Sequence, residues 1–134
     1  MGKRTTGHER RLRRGLFAFL DRATDVVSVV DNYRDGSVTI AVLDGRGRMR
    51  EFAPTALVAT DRHRVWLVQI HGADTSDLPR IRESIRLWCQ SRTLGDTLGR
   101  TFRPLLLDGG HLPVRDSLAS FEEFAAETAG HYQR

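Results

Sequence analysis

The run of residues 65–70 constrains the fold more than any other part of the sequence. It reads Val-Trp-Leu-Val-Gln-Ile, so all of its side chains except Gln69 are apolar. A strand that is apolar on both faces belongs in the interior of a sheet whose two faces are covered. Leu78, Ile81 and Ile85 follow at the three- and four-residue spacing of a helix with one apolar face. We therefore expect a central strand, followed by a helix that packs on its sheet.

In the rest of the chain, apolar residues recur with the spacing of a helix in some segments and with that of a strand in others. Residues 8–22 carry a helical apolar stripe, and a final helix begins near Ser120. Short strands are predicted at 26–30, 38–42, 49–52, 56–59 and 102–107, the last an edge strand because it contains Pro104. This order predicts an α+β fold, with a single mixed central sheet flanked by helices. One domain over 1–134 is expected, with a flexible N-terminus at 1–7 and a C-terminal loop and helix at 108–134.

Length and composition exclude several classes of protein. The 134 residues contain no apolar run near the roughly 18 residues that a membrane helix needs, so no membrane partner is expected. No hydrophobic segment follows the charged N-terminus, which is unlike a secretory signal. Cys89 is the sole cysteine, which rules out an internal disulfide and a cysteine-rich zinc site, and its place on the helical stripe predicts burial. These features predict a cytoplasmic protein.

Basic residues are concentrated in two short segments. Residues 1–14 carry Lys3 and five arginines against Glu9 alone, and a second group occupies the glycine-rich turn at 45–50. The planar fork of arginine pairs with phosphate, and glycine lets the backbone come close to a ligand. The candidate nucleic-acid contacts are Arg10, Arg11, Arg13, Arg14, Arg46, Arg48 and Arg50. The alternative interpretation is that both segments are solvated surface.

One segment carries a resemblance to a known family. Residues 51–72 read EFAPTALVATDRHRVWLVQIHG, and they follow a basic amphipathic helix, a valine-rich strand and a hairpin. Over residues 10–90 this order resembles the N-terminal nuclease domain of TnsA-type transposase endonuclease subunits, which belong to the PD-(D/E)XK, or restriction-endonuclease-like, superfamily. The family pattern is an aromatic residue, Pro-Asp and an apolar strand, then a polar turn and Val-Trp-Leu-Val-Glu-x-Lys. The resemblance implies a restriction-endonuclease-like fold.

The functional positions of that pattern carry different chemistry in this chain. In the superfamily, the acids of Pro-Asp and Glu-x-Lys hold a divalent metal, and the lysine helps to position the attacking water. Those positions are Thr55, Gln69 and His71 here, and the glutamate of the family's first helix falls near Arg13. Magnesium requires anionic oxygen ligands. The resemblance therefore implies a fold whose metal site has decayed, with no catalytic residue, no metal and no cofactor.

We therefore expect a DNA-binding or complex-assembly module of a mobile-element or DNA-processing system. Its expected partners are DNA and a protein such as a transposase, or a second copy of the chain. One alternative is a divergent endonuclease that binds magnesium through Gln69 and His71 with a migrated acid, for example Glu51 or Asp44. A further alternative is an oligomerising or scaffold protein that does not bind DNA.

Overall fold

The computed structural model describes residues 7–32, 36, 38–71 and 78–132, with side chains up to Thr128. Within these residues, three helices and six strands follow one another. They are α1 (Gly7–Arg22), β1 (Ser28–Asp31), β2 (Ile40–Leu43), β3 (Met49–Phe52), β4 (Ala56–Ala59), β5 (Arg64–Ile70), α2 (Leu78–Gly95), β6 (Thr101–Leu107) and α3 (Phe121–Tyr132). The predicted flexible N-terminus lies outside the described residues, except for Gly7, which begins α1.

Four strands form a mixed sheet in the order β1-β4-β5-β6. β5 pairs antiparallel with β4 and parallel with β6, so it occupies an interior position. Residues 65–68 are buried on both faces of the sheet, as the apolar run predicts. β6 contains Pro104 and lies at the sheet edge. The α+β class and the central place of residues 65–70 are confirmed.

The strands differ from the prediction at the hairpin. β2 and β3 pair only with each other and form a separate two-stranded sheet, instead of joining a single one. β1 pairs with β4, and this ladder continues as the Asn32 amide donates to the Thr55 carbonyl at 3.2 Å. The hairpin packs against the main sheet through Ile40, Val42 and Phe52, so burial of these side chains holds it without a shared ladder.

Each face of the main sheet covers its own apolar core. On one face, α1 and α3 bring Leu16, Phe19 and Phe121 onto Val58 and Val68. On the other face, α2 and the hairpin pack against the alternate side chains of the strands. The central members of that second core are Phe52, Leu67, Ile85, Cys89 and Leu106. The layers are therefore α1 and α3, the main sheet, and then α2 with the hairpin.

Helix α3 is fixed to the rest of the fold at its first turn. The Asp25 carboxylate accepts the amide protons of Phe121 at 2.6 Å and Glu122 at 3.0 Å, and Ser120 Oγ accepts that of Glu123 at 3.1 Å. These bonds satisfy three of the free amides that every helix start leaves. The start of the helix near Ser120 is thus as predicted. No helix in the described part of the chain is long and apolar enough to cross a membrane.

Candidate functional site

Thr55 and Gln69 lie opposite each other on neighbouring strands. Thr55 immediately precedes β4, and its amide donates to the Val68 carbonyl at 2.9 Å. Its hydroxyl oxygen accepts the Ile70 amide proton, also at 2.9 Å. Thr55 therefore contacts the backbone on both sides of Gln69, and the two side chains share the sheet face that carries the second core. The fold brings together the two positions that carry the acids in the PD-(D/E)XK pattern.

His71 completes this group from the end of β5. It lies two residues beyond Gln69 and therefore on the same face, and its side chain is 8% exposed. Its amide donates to the Leu107 carbonyl at 2.9 Å, which holds it beside β6. Within the described part of the chain, two buried side-chain atoms here have no hydrogen-bond partner, the Gln69 Oε1 and the His71 Nδ1. A buried polar atom without a partner costs free energy.

This group of three residues contains no carboxylate. The Thr55 hydroxyl already accepts one hydrogen bond, and the Gln69 Nε2 donates to the Ile70 carbonyl at 3.0 Å. The remaining groups are a carboxamide oxygen and an imidazole nitrogen, whereas magnesium is held by anionic oxygens. Among residues 7–32, 36, 38–71 and 78–132, no cluster of three His, Cys, Asp or Glu side chains has metal-binding geometry.

Neither acid suggested as a migrated ligand lies on that face of the main sheet. Asp44 is in the turn of the β2–β3 hairpin, where its carboxylate accepts the amide protons of Arg46 at 2.8 Å and Arg48 at 2.9 Å. Glu51 pairs with Ala41, and both are exposed on the side of the hairpin opposite to Phe52. Since Phe52 points into the second core, Glu51 points away from it.

The four arginines of α1 that were predicted to contact nucleic acid divide into two kinds. Arg10, Arg11 and Arg14 are exposed. Arg13 is not, because its guanidinium forms an ion pair of 2.5 Å with Asp31 of β1 and lies over the Phe17 ring, 5.1 Å from its centroid. Arg13 thus joins α1 to the edge of the main sheet, and its role as a nucleic-acid contact stays a prediction.

The hairpin arginines form a larger basic surface than the sequence indicates. Arg46, Arg48 and Arg50 are exposed, and they line one open concave surface together with Arg80 from the first turn of α2. We call these four arginines the basic surface. Arg80 was not predicted, because only the packing of α2 beside the hairpin brings it there. No local signal in the sequence distinguishes Arg80 from the other arginines of α2.

Among the described residues, Asp44 is the only acid that lines the basic surface, and its carboxylate is hydrogen-bonded within the turn. Hydrogen bonds from the Arg48 and Arg46 amides lower its pKa. Gly47 supplies the left-handed conformation that the turn needs, with φ of 76°. The four arginines therefore line a surface whose one described carboxylate is hydrogen-bonded to the turn backbone. The charges of these five side chains sum to a net positive charge.

The two basic segments do not form one surface. Helix α1 packs on the first core, whereas the hairpin and α2 pack on the second, across the main sheet. The exposed Arg10, Arg11 and Arg14 are thus separated from the basic surface by the sheet. Sequence spacing could not indicate this, because it does not show on which face of the sheet each element packs.

Comparisons of the chain with protein-family models, with curated proteins and with solved structures found no match.

Proposed function

We propose that this chain is a DNA-contacting module that binds the phosphate backbone through the basic surface. The observation that carries the proposal is the convergence of Arg46, Arg48, Arg50 and Arg80 on one concave surface, where Asp44 is the single acid among the described residues. Arginine forks bind phosphate oxygens in pairs, and such contacts position a protein on DNA without reading its sequence. The expected binding is weak, sequence-independent and sensitive to salt.

The hairpin suits this task for a physical reason. Its turn is held by Asp44, so the arginines at 46, 48 and 50 project from a backbone with little freedom to lose on binding. Arg80 adds a contact from a helix, which is more rigid than a loop. A backbone that is already ordered lowers the entropy cost of binding a phosphate chain.

We also propose that the chain is related to TnsA-type nuclease domains. The support is that Thr55 lies opposite Gln69, with His71 two residues further on, so the residues at the Pro-Asp and Glu-x-Lys positions are neighbours. We propose that the fold has kept this arrangement while its acids were lost, and that the module works within a mobile-element or DNA-processing system, in the cytoplasm and beside a protein partner. On this account the chain binds DNA and does not cut it.

A second candidate function is a divergent metal-dependent endonuclease. The observation that favours it is the pair of buried, unpartnered atoms, Gln69 Oε1 and His71 Nδ1, at the pattern positions. Titration calorimetry with manganese separates the two candidates. Binding in the micromolar range that Gln69→Ala abolishes, together with plasmid cleavage, would establish the enzyme and overturn the proposal of a decayed site.

Fluorescence anisotropy with a labelled duplex tests DNA binding. We expect Arg48→Ala and Arg80→Ala each to weaken binding for all duplex sequences by a similar factor, because each removes a phosphate contact. Arg115→Ala is the matched control, since it removes the same charge from an exposed arginine that pairs with Glu127 instead. Equal weakening by all three variants would show that net charge alone attracts the DNA, and would contradict the proposal.

A further inference from the structure

A cavity of about 400 Å³ opens beside the last turns of α2. We call it the Trp88 cavity, and its lining residues are Trp88, Ser91, Arg92, Gly95, Asp96 and Thr97. The Trp88 ring is half-buried and packs edge to face on Phe102, with 5.9 Å between the ring centroids. The Arg92 guanidinium lies 5.6 Å from the Trp88 centroid. An aromatic ring, a cation and two hydroxyl groups thus surround a space within the size range of small-ligand sites.

The Trp88 cavity is open and its acid is already paired. Among the described residues that line it, only Asp96 is acidic, and its carboxylate accepts hydrogen bonds from the guanidinium and the amide of Arg100, both at 2.8 Å. Gly95 keeps one wall clear. In the described part of the chain, no heavy atom outside its own helix backbone and chain neighbours lies within 4 Å of the position that a Cβ would take there. The charge of Arg92 is therefore available to a ligand that enters.

The Trp88 cavity lies along α2 from one arginine of the basic surface. Arg80, Ser84 and Trp88 follow at four-residue intervals, so their side chains lie along one side of the helix. The eight residues from Arg80 to Trp88 span about 12 Å of helix. A stacked nucleic-acid strand covers that distance with about four nucleotides, at roughly 3.4 Å each. One short strand can therefore reach from the basic surface to the cavity.

We propose that the Trp88 cavity holds one unpaired base of a DNA strand whose phosphates lie on the basic surface. The base stacks on Trp88 and Arg92, with the hydroxyl groups of Ser91 and Thr97 near its edge. Proteins that bind single strands combine a positively charged groove with aromatic side chains on which bases stack. Bases inside a duplex are paired and stacked on one another, so the preferred ligand is DNA with unpaired bases. This base site rests on the proposed function, because the basic surface supplies the phosphate contacts.

Fluorescence anisotropy with two labelled single strands of equal length tests the base site. One strand is oligothymidine and the other is its abasic analogue, which carries the same phosphates without the bases. The basic surface should bind both strands. We expect the parent protein to bind oligothymidine roughly tenfold more tightly, because a base that stacks on an aromatic side chain adds about that factor in affinity.

Two variants remove the base site in different ways. Trp88→Leu removes the ring, and Gly95→Gln fills the cavity from a helical position whose Cβ meets no other atom. Each should lower the affinity for oligothymidine to that for the abasic strand, and leave the affinities for the abasic strand and for a duplex unchanged. Leu94→Gln is the matched control, because Leu94 is 83% exposed next to Gly95 and does not line the cavity. Circular dichroism confirms that all three variants are folded.

The outcomes separate the base site from the proposed function. Equal binding of the two strands by the parent protein would overturn the base site and leave the phosphate contacts in place. A preference for oligothymidine that Gly95→Gln leaves intact, or that Leu94→Gln abolishes, would assign the base contact to another surface and also overturn it. Arg48→Ala should weaken the binding of both strands by the same factor. Absence of binding to either strand would contradict the proposed function and the base site together.

Discussion

The Thr55 hydroxyl accepts the amide proton of Ile70 at 2.9 Å, in a place where a backbone carbonyl would ordinarily serve. This bond joins the residue before β4 to the end of β5, next to Gln69. The proposed resemblance to PD-(D/E)XK nucleases would place an aspartate that faces a metal at this position. Here the Thr55 hydroxyl joins two strands of the main sheet. This structural use of the position supports the proposal of a decayed metal site and is not a test of it.

Loss of the Thr55 hydroxyl should destabilise the fold. Thr55→Val keeps the shape but leaves the buried Ile70 amide without an acceptor, at a cost of about 1–3 kcal/mol in the free energy of unfolding. Thr55→Ser keeps the hydroxyl and should cost less. Urea denaturation of the three proteins measures the difference. Equal stability of the Val and Ser variants would show that the bond contributes nothing.

Arg13 and Arg14 are neighbours in the sequence with different expected roles. Arg13→Ala removes the ion pair to Asp31 and the contact with Phe17, and should lower the free energy of unfolding by about 1 kcal/mol. Arg14→Ala should leave stability nearly unchanged, because its side chain is exposed. Thermal denaturation of both variants checks this, and an equal loss of stability in both would contradict the internal role of Arg13.

Glu122 links α3 to the strands β4 and β5 and should make stability depend on pH. Its carboxylate accepts hydrogen bonds from Thr60, Arg64 and Trp66 at 2.6–2.8 Å. Burial raises the pKa of Glu122, but the three hydrogen bonds outweigh it, so the pKa lies below its usual value of 4.5.

A lowered pKa stabilises the folded state above the unfolded pKa, and the stabilisation is lost as the pH falls through the folded one. We therefore expect the stability of the parent protein to fall below about pH 4.5 more steeply than that of Glu122→Gln. Denaturation curves at several pH values measure this. Parallel pH profiles for the two proteins would show that the Glu122 carboxylate has no such role.

The sequence was sufficient for the elements whose signal is local. The apolar run at 65–70 and the stripe of Ile81, Ile85 and Cys89 each depend on neighbours in the chain, so the central strand and α2 were predicted correctly. Cys89 is buried as expected, and burial raises its pKa to about 12.

Pairing between distant elements could not be predicted in the same way. A valine-rich strand followed by a turn pairs equally well with the next strand or with a later one, and β1 pairs with β4. The same limit applies to the candidate site. Charge and glycine spacing identified Arg46, Arg48 and Arg50, but Arg80 joins them only through the packing of α2. Arg13 and Asp31 form an ion pair although they are 18 residues apart in the sequence, and no helical or strand period predicts a contact at that separation.

The buried thiol gives a test of the second core. Because its pKa is about 12, Cys89 holds almost no thiolate at neutral pH, and it is enclosed by α2, the hairpin and the main sheet. We expect a thiol reagent to modify the folded protein very slowly and the urea-unfolded protein rapidly. Equally fast modification of the folded protein would mean that this core opens readily.

The salt dependence of duplex binding tests the central claim most directly. If the four arginines of the basic surface each neutralise one phosphate, the logarithm of the association constant should fall with the logarithm of salt concentration with a slope of about −3 to −4. Replacing both Arg48 and Arg80 by alanine should flatten this slope by about two units, whereas replacing Arg10 and Arg14 across the main sheet should leave it unchanged. Absence of binding at low salt, or a slope that only the α1 arginines change, would contradict the account.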